Sequence, residues 1–273
     1  MGPLVSDSGL SSLQLRIISA AVLAPIAVAA VYFGGVYFTL FMGIAASAMC
    51  YEWCRTSFNN HISSYVALIA IWILLSVYLA YEGSVLAAFL SILICAVGVL
   101  ALTWFQKSDR EWKGAFLGPL YIGLPVVSLI CLRADPENGA GLTASLFFIV
   151  WATDTGAYFA GRSIGGPKIA PSISPNKTWA GLIGGMISAA IVSVLCAQYL
   201  VSMDIPMWSV AIVGGLLAVL AQVGDFAESG WKRHFDIKDA SHIIPGHGGV
   251  LDRLDGVLFV APALYLLNIV IGI

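Results

Sequence analysis

Apolar residues run along this chain in stretches of about twenty, the length a helix needs to cross the hydrocarbon layer of a bilayer, and short polar breaks separate each stretch from the next. The pattern predicts about nine such helices, at 17–33, 36–54, 63–82, 84–105, 114–133, 144–162, 179–201, 207–230 and 256–273. Almost nothing remains for a soluble domain. The expected fold is an all-α integral membrane protein with two long polar loops, about 163–178 and 231–255. Loops of that length in a compact bundle usually carry function. The chain is therefore expected to divide, within one continuous membrane domain, into an N-terminal scaffold over 1–143 and a candidate functional region over 144–273 that holds both loops. The polar start, Met1 to Arg16, resembles the n-region of a secretory signal. It is long, however, carries one positive charge and leads straight into two apolar runs, so Ile17 onward is read as the first span.

Composition agrees. Of the 273 residues, 59% are hydrophobic and 10% charged, against roughly a quarter charged in a soluble domain. A water-soluble globule is excluded, and a net charge of -2 excludes the broad basic field of a nucleic-acid binder. Basic residues mark cytoplasmic loops. With nine spans, every Lys and Arg but Arg133 falls on one side, including Arg16, Arg55 and the topology signals Lys107, Arg110 and Lys113. That side is the expected cytoplasm, and the N-terminus lies on it. The five cysteines lie in or beside apolar runs, without CxxC or Cys/His metal spacing, and read as small buried hydrophobes.

Several acids sit where acids are costly. Asp154 lies inside the sixth stretch, and Asp225 and Glu228 near the end of the eighth. Each carboxylate near the bilayer centre costs about 2.5–3.5 kcal/mol even on the lenient insertion scale, so each must be paired, metal-bound or facing a wet cavity. Asp154 alone is compatible with a structural ion pair or an interhelical hydrogen bond. Asp225, Glu228, Ser229 and Lys232 fall at i, i+3, i+4 and i+7 and so share one helix stripe. Hard oxygens on one face suit Mg²⁺, which takes one or two carboxylates plus substrate phosphates. The following loop holds Pro245, Gly246, Gly248 and Gly249, a turn that can aim backbone N–H groups at an anion. Asp252 and Asp255 then share a face where the ninth helix starts. With Lys232, Arg233, Lys238, Arg253, Asp236 and Asp239 around it, this loop is a candidate for metal-assisted phosphate chemistry.

At these residues the sequence resembles a known family. The run Ser229-x-Trp231-Lys232-Arg233-x4-Lys238-Asp239-x-Ser241-x2-Ile244-Pro245-x-His247-Gly248-Gly249-Val250-x-Asp252-Arg253-Leu254-Asp255 is similar to the signature of the phosphatidate cytidylyltransferases, or CDP-diacylglycerol synthases. Trp231 departs from it, standing where the pattern has an aliphatic residue, Met or Phe. Upstream, Asp154-x-Gly156-Ala157-Tyr158, Gly161-Arg162, Lys168 and Ser174-Pro175-Asn176-Lys177-Thr178-Trp179 resemble the family's second cytoplasmic segment. The N-terminal half agrees in hydropathy only.

The resemblance implies a Mg²⁺-dependent, homodimeric enzyme of the bacterial inner membrane that joins CTP and phosphatidic acid to give CDP-diacylglycerol and pyrophosphate. It places metal binding at Asp225, Asp252 and Asp255, with room for a second cation, and charge neutralisation at Lys232, Arg233 and Arg253. Glu228, Ser229, Lys238, Asp239, Gly248 and Gly249 are expected to hold substrate or orient the groups that do, as is His247, unless it only orders the turn. Arg162, Lys168, Ser174, Lys177 and Thr178 are expected to form the opposite wall, with Asp154 facing inward and helices six and eight lining the cavity. Two other readings compete. A CTP-dependent lipid kinase would release CDP, and an ion-coupled transporter would place its acids at the midplane between repeats. The chain has neither an internal repeat nor a GxxxxGK[ST] loop.

Overall fold

A computed structural model describes residues 11–58, 62–105 and 112–271; the topology signals Lys107 and Arg110 lie outside them. Nine helices follow one another in the described residues: α1 Ser12–Phe33, α2 Gly35–Ser57, α3 Ile62–Tyr81, α4 Val85–Phe105, α5 Trp112–Arg133, α6 Gly139–Ser163, α7 Trp179–Tyr199, α8 Met207–His234 and α9 Leu251–Ile271. Seven of them are long and apolar enough to cross a membrane. The other two, α2 and α6, are as long, but Glu52 and Arg55 dilute the apolar content of α2, and Asp154 with several Gly and Thr dilutes that of α6. The protein is thus an all-α membrane bundle with one small exception. Strands β1 (Lys168–Ala170) and β2 (Ser174–Thr178) pair antiparallel in the long loop between α6 and α7.

Local signals set the helix limits. Ser11 and Gln14 form a reciprocal capping box at the start of α1. Gly34, with φ 62°, makes the sharp joint between α1 and α2 that a Cβ would strain. Four limits lie four or five residues outside the hydropathy reading, where polar or small residues score poorly although the backbone stays helical: α1 starts at Ser12, α6 starts at Gly139, and the other two bring charged residues into a helix. Helix α8 continues to His234 and carries Lys232 and Arg233 on its last turn. Helix α9 starts at Leu251, so Asp252 lies in its first turn.

Packing centres on α5, the most enclosed span, which sits among α2, α3, α4 and α9. Ile69, Ile92, Ile122, Val126, Leu129 and Val260 are fully buried there. A second layer, α6 against α7 and α7 against α8, is built on small residues. A Cβ on Gly156 would run into Ser188 and the Gly184 carbonyl, and one on Gly184 into Ala160. Such stripes let backbones approach closely where lipid removes the hydrophobic drive between helices. Large apolar side chains cover the exterior, among them Ile44, Ile71, Leu86, Ile183 and Ile187. All five cysteines are free, and all but Cys131 are buried.

Contacts between distant helix ends define two poles. At one, Arg16, Glu52, Trp53, Ser57, Lys177, Lys232 and Asp252 bond residues of other elements. At the other, Arg133 donates to the Val31 carbonyl at 2.7 Å and the Tyr32 carbonyl at 3.0 Å, and Asn138 bonds Ser202 in both directions. The basic residue that the charge pattern isolates thus caps the end of α1.

Candidate active site

The last turns of α8 bring the expected stripe together. Ser229 donates to Asp225 at 3.2 Å, and Lys232 donates to Glu228 at 3.1 Å, both one helical turn apart. Lys232 also reaches Asp252 Oδ1 on α9 at 2.6 Å. Asp252 Oδ2 in turn accepts the amides of Gly249 at 2.8 Å and Ala240 at 3.2 Å. Asp252 therefore joins α8, the 235–250 loop and α9. The Glu228 side chain is buried, and its Oε1 has no hydrogen-bond partner in the described residues.

The Gly-rich turn departs from expectation. Its amides at Gly249, Val250 and Leu251 point to protein carboxylates and not outward to an anion. Glu52 of α2, 0% exposed, accepts Val250 N and Leu251 N at 2.8 Å each, and also the Ser241 hydroxyl. The ends of helices carry unpaired N–H groups, and here a carboxylate from another helix meets those that open α9. Glycine is needed at 249, since a Cβ there would lie 2.8 Å from Glu52 Oε1 and 3.0 Å from Asp252 Oδ2. The tip of the turn is tied elsewhere. Arg253 Nε donates to the His247 carbonyl at 2.9 Å, and on α1 Arg16 and Ser19 donate to the carbonyls of Gly246 and Pro245. The His247 amide closes the turn on Ile244, while its Nδ1 is buried without a partner in the described residues.

Beside this clamp lies a second group of acids. Lys177, on β2, is ion-paired with Asp225, and Asp154, Asp225, Asp255 and Lys177 lie within electrostatic reach of one another. Three carboxylates thus share one ammonium. The Tyr121 hydroxyl of α5 is buried close to Glu228, Asp255 and Asp225, with no hydrogen-bond partner in the described residues. No three His, Cys, Asp or Glu side chains among the described residues are arranged to enclose a cation by themselves. An excess of hard oxygen donors over positive charge is nevertheless the donor chemistry that suits Mg²⁺, which completes its shell with substrate phosphates and water.

The remaining expected residues scatter around these two groups. Arg162 is exposed on the last turn of α6 and donates to the Tyr158 hydroxyl at 2.7 Å. Lys168 reaches the Asn176 carbonyl across the hairpin at 3.3 Å, and Ser174 sits half-buried at the start of β2. Thr178 has a different role from the one expected: its buried hydroxyl accepts Gly181 N at 3.1 Å and caps α7. Arg233, Lys238 and Asp239 are exposed, and Gly248, with φ 89°, completes the turn. An apolar cavity of about 730 Å³ opens between α6 and α7, lined by Ala152, Thr155, Phe159, Ile183 and Ile187. Its walls are α6 and α7.

Hydropathy alone passes over Glu52, Arg16, Ser19, Trp53 and Tyr121, all from helices read as scaffold. Trp53 stacks on Trp231 with centroids 4.6 Å apart and planes 5° apart, and donates to the Gly114 carbonyl. The unusual Trp231 therefore has a partner in this chain.

The sequence model of the cytidylyltransferase family matches residues 14–270. The phosphatidate cytidylyltransferases of Brucella suis biovar 1 (strain 1330) and Brucella abortus biovar 1 (strain 9-941) are each 40% identical over 259 residues, 94% of this chain and 93% of theirs. That of Bacillus subtilis (strain 168) is 32% identical over 262 residues, 93% of this chain and 97% of its own. Because the match runs from the first turn of α1 to the last turn of α9, this chain belongs to the cytidylyltransferase family.

Proposed function

We propose that this protein joins CTP and phosphatidic acid, giving CDP-diacylglycerol and pyrophosphate. The observation that carries the reading is the convergence of Asp154, Lys177, Asp225, Glu228, Lys232, Asp252 and Asp255 at one pole of an apolar bundle. A polyanionic nucleotide and a lipid phosphate can meet only where fixed charge borders the membrane.

An oxygen of the lipid phosphate attacks the α-phosphorus of CTP. The new P–O bond forms as the bond to the β-phosphate oxygen breaks, and pyrophosphate leaves with that electron pair. A phosphate dianion is already a competent nucleophile, so no catalytic Ser or Cys is required. Catalysis rests on positioning and charge neutralisation. Lys177 and Lys232 are held by Asp225, Glu228 and Asp252, and this preorganisation lets their charge act without reorientation. Arg233, exposed on the last turn of α8, is free to meet the departing pyrophosphate. Asp225 and Asp255 are the residues suited to hold Mg²⁺, with Asp154 adding negative charge beside them. Bound there, the cation would neutralise charge on the nucleotide phosphates. Asp252, with both oxygens engaged by Lys232 and two amides, fits the role of organiser better than that of ligand. The acyl chains have an apolar path in the cavity between α6 and α7.

The two poles support nine crossings, with α2 and α6 spanning as well. Each helix leads from one pole to the other, and the basic residues gather at the pole of the site, which by their charge faces the cytoplasm. The bacterial relatives fit an inner-membrane location and, by family resemblance, a homodimer. Purified protein in detergent, given phosphatidic acid and CTP with and without Mg²⁺, is expected to release pyrophosphate and CDP-diacylglycerol together, only with the metal. Release of CDP with a phosphorylated lipid would mean a kinase instead, and no turnover of CTP would fit a transporter.

A further inference from the structure

We propose that Glu52, in a helix remote in sequence from the signature, is a positioning residue that holds the 235–250 loop and the start of α9 in reactive geometry. The side chain is fully buried, and the carboxylate accepts three hydrogen bonds, from Ser241 Oγ, Val250 N and Leu251 N. Those donors flank the Gly-rich turn on both sides. Asp252 closes the same turn from within, through Gly249 N and Ala240 N, and carries the ion pair to Lys232. Glu52 thus acts through Asp252: it fixes where the first turn of α9 begins and so where Asp252 and Asp255 stand relative to α8. A neighbouring contact locks α2 to α8, because Trp53 stacks on Trp231 and Trp231 Nε1 donates to Ser57 Oγ at 3.3 Å. A carboxylate is required because all three neighbours are donors. Gln fills the same volume but presents an N–H₂ where one donor already points, leaving a buried amide unpaired.

This difference in hydrogen-bonding chemistry at equal volume makes the proposal testable. In detergent-purified full-length protein, Glu52→Gln is expected to lower kcat about 10- to 100-fold, with the KM for phosphatidic acid within about threefold of wild type. Tryptic cleavage after the exposed Lys238 is expected to quicken as the loop loosens. Glu52→Asp, which keeps the charge, is expected to recover part of kcat and of the protection. Wild-type kcat and cleavage in Glu52→Gln would overturn the proposal, as would a loss confined to thermal stability with unchanged kinetics of the folded enzyme. If Glu52→Gln does not accumulate, Ser241→Ala removes one donor and leaves the carboxylate. It is expected to show both signs in weaker form, and wild-type behaviour in it would overturn the proposal equally. Trypsin reads the loop without substrate, so a mistaken assignment of the reaction would leave that result standing.

Discussion

Asp252 accepts from three donors on two segments: an ammonium on α8 and two amides of the loop. Replacing it by Asn keeps the volume but sets an N–H₂ against one of those donors. The expected outcome for Asp252→Asn is loss of turnover by about 100-fold or more, with membrane expression close to wild type, measured by product formation per milligram of monodisperse protein. Full activity would remove Asp252 from the site. The stripe around it is legible from spacing alone, because i, i+3, i+4 and i+7 are a property of the helix and need no fold. Glu52 is not legible in the same way. Arg55 lies three residues on and offers a local ion-pair explanation, while the true partners lie almost two hundred positions away. Thr178 errs in the opposite direction: a threonine just before an apolar run is as good a helix cap as a ligand group, and it proves to be the cap.

Among the elements, helices are readable to within a few residues at most ends, since an apolar stretch bounded by polar breaks has few ways to satisfy its backbone in lipid. The hairpin of β1 and β2 is not, because three- and five-residue strands leave no periodic signal. It matters for the site, because β2 delivers Lys177 to Asp225. The pairing of α6 with α7 rests on glycine, and through it the placement of Asp154. Gly156→Val would force the Ser188 side chain and the α7 backbone away. Overpacking of this kind costs about 1–3 kcal/mol. A thermal melt in detergent is expected to shift down by several degrees, with activity reduced because Asp154 sits two residues away. An unchanged melt would mean that α6 and α7 do not pack as described.

For the whole molecule, the two poles make orientation measurable. Because the native cysteines are largely buried, single cysteines placed at Asp239 and at Asp204 report on opposite ends. An impermeant maleimide added to intact spheroplasts is expected to label position 204 and not 239, and inside-out vesicles to give the reverse. Labelling of both from one side would break the nine-crossing arrangement. The tie between Glu52 and the start of α9 also bears on how the protein is made. Its donor Leu251 lies 199 residues downstream. At about 5–20 residues per second, the ribosome needs roughly 10–40 s to supply it. For that interval the Glu52 carboxylate lacks the two amides that hold it in the finished fold. It must wait at the water interface or in the shelter of the insertion machinery, so the last helix made is the one that lets the second settle into the membrane.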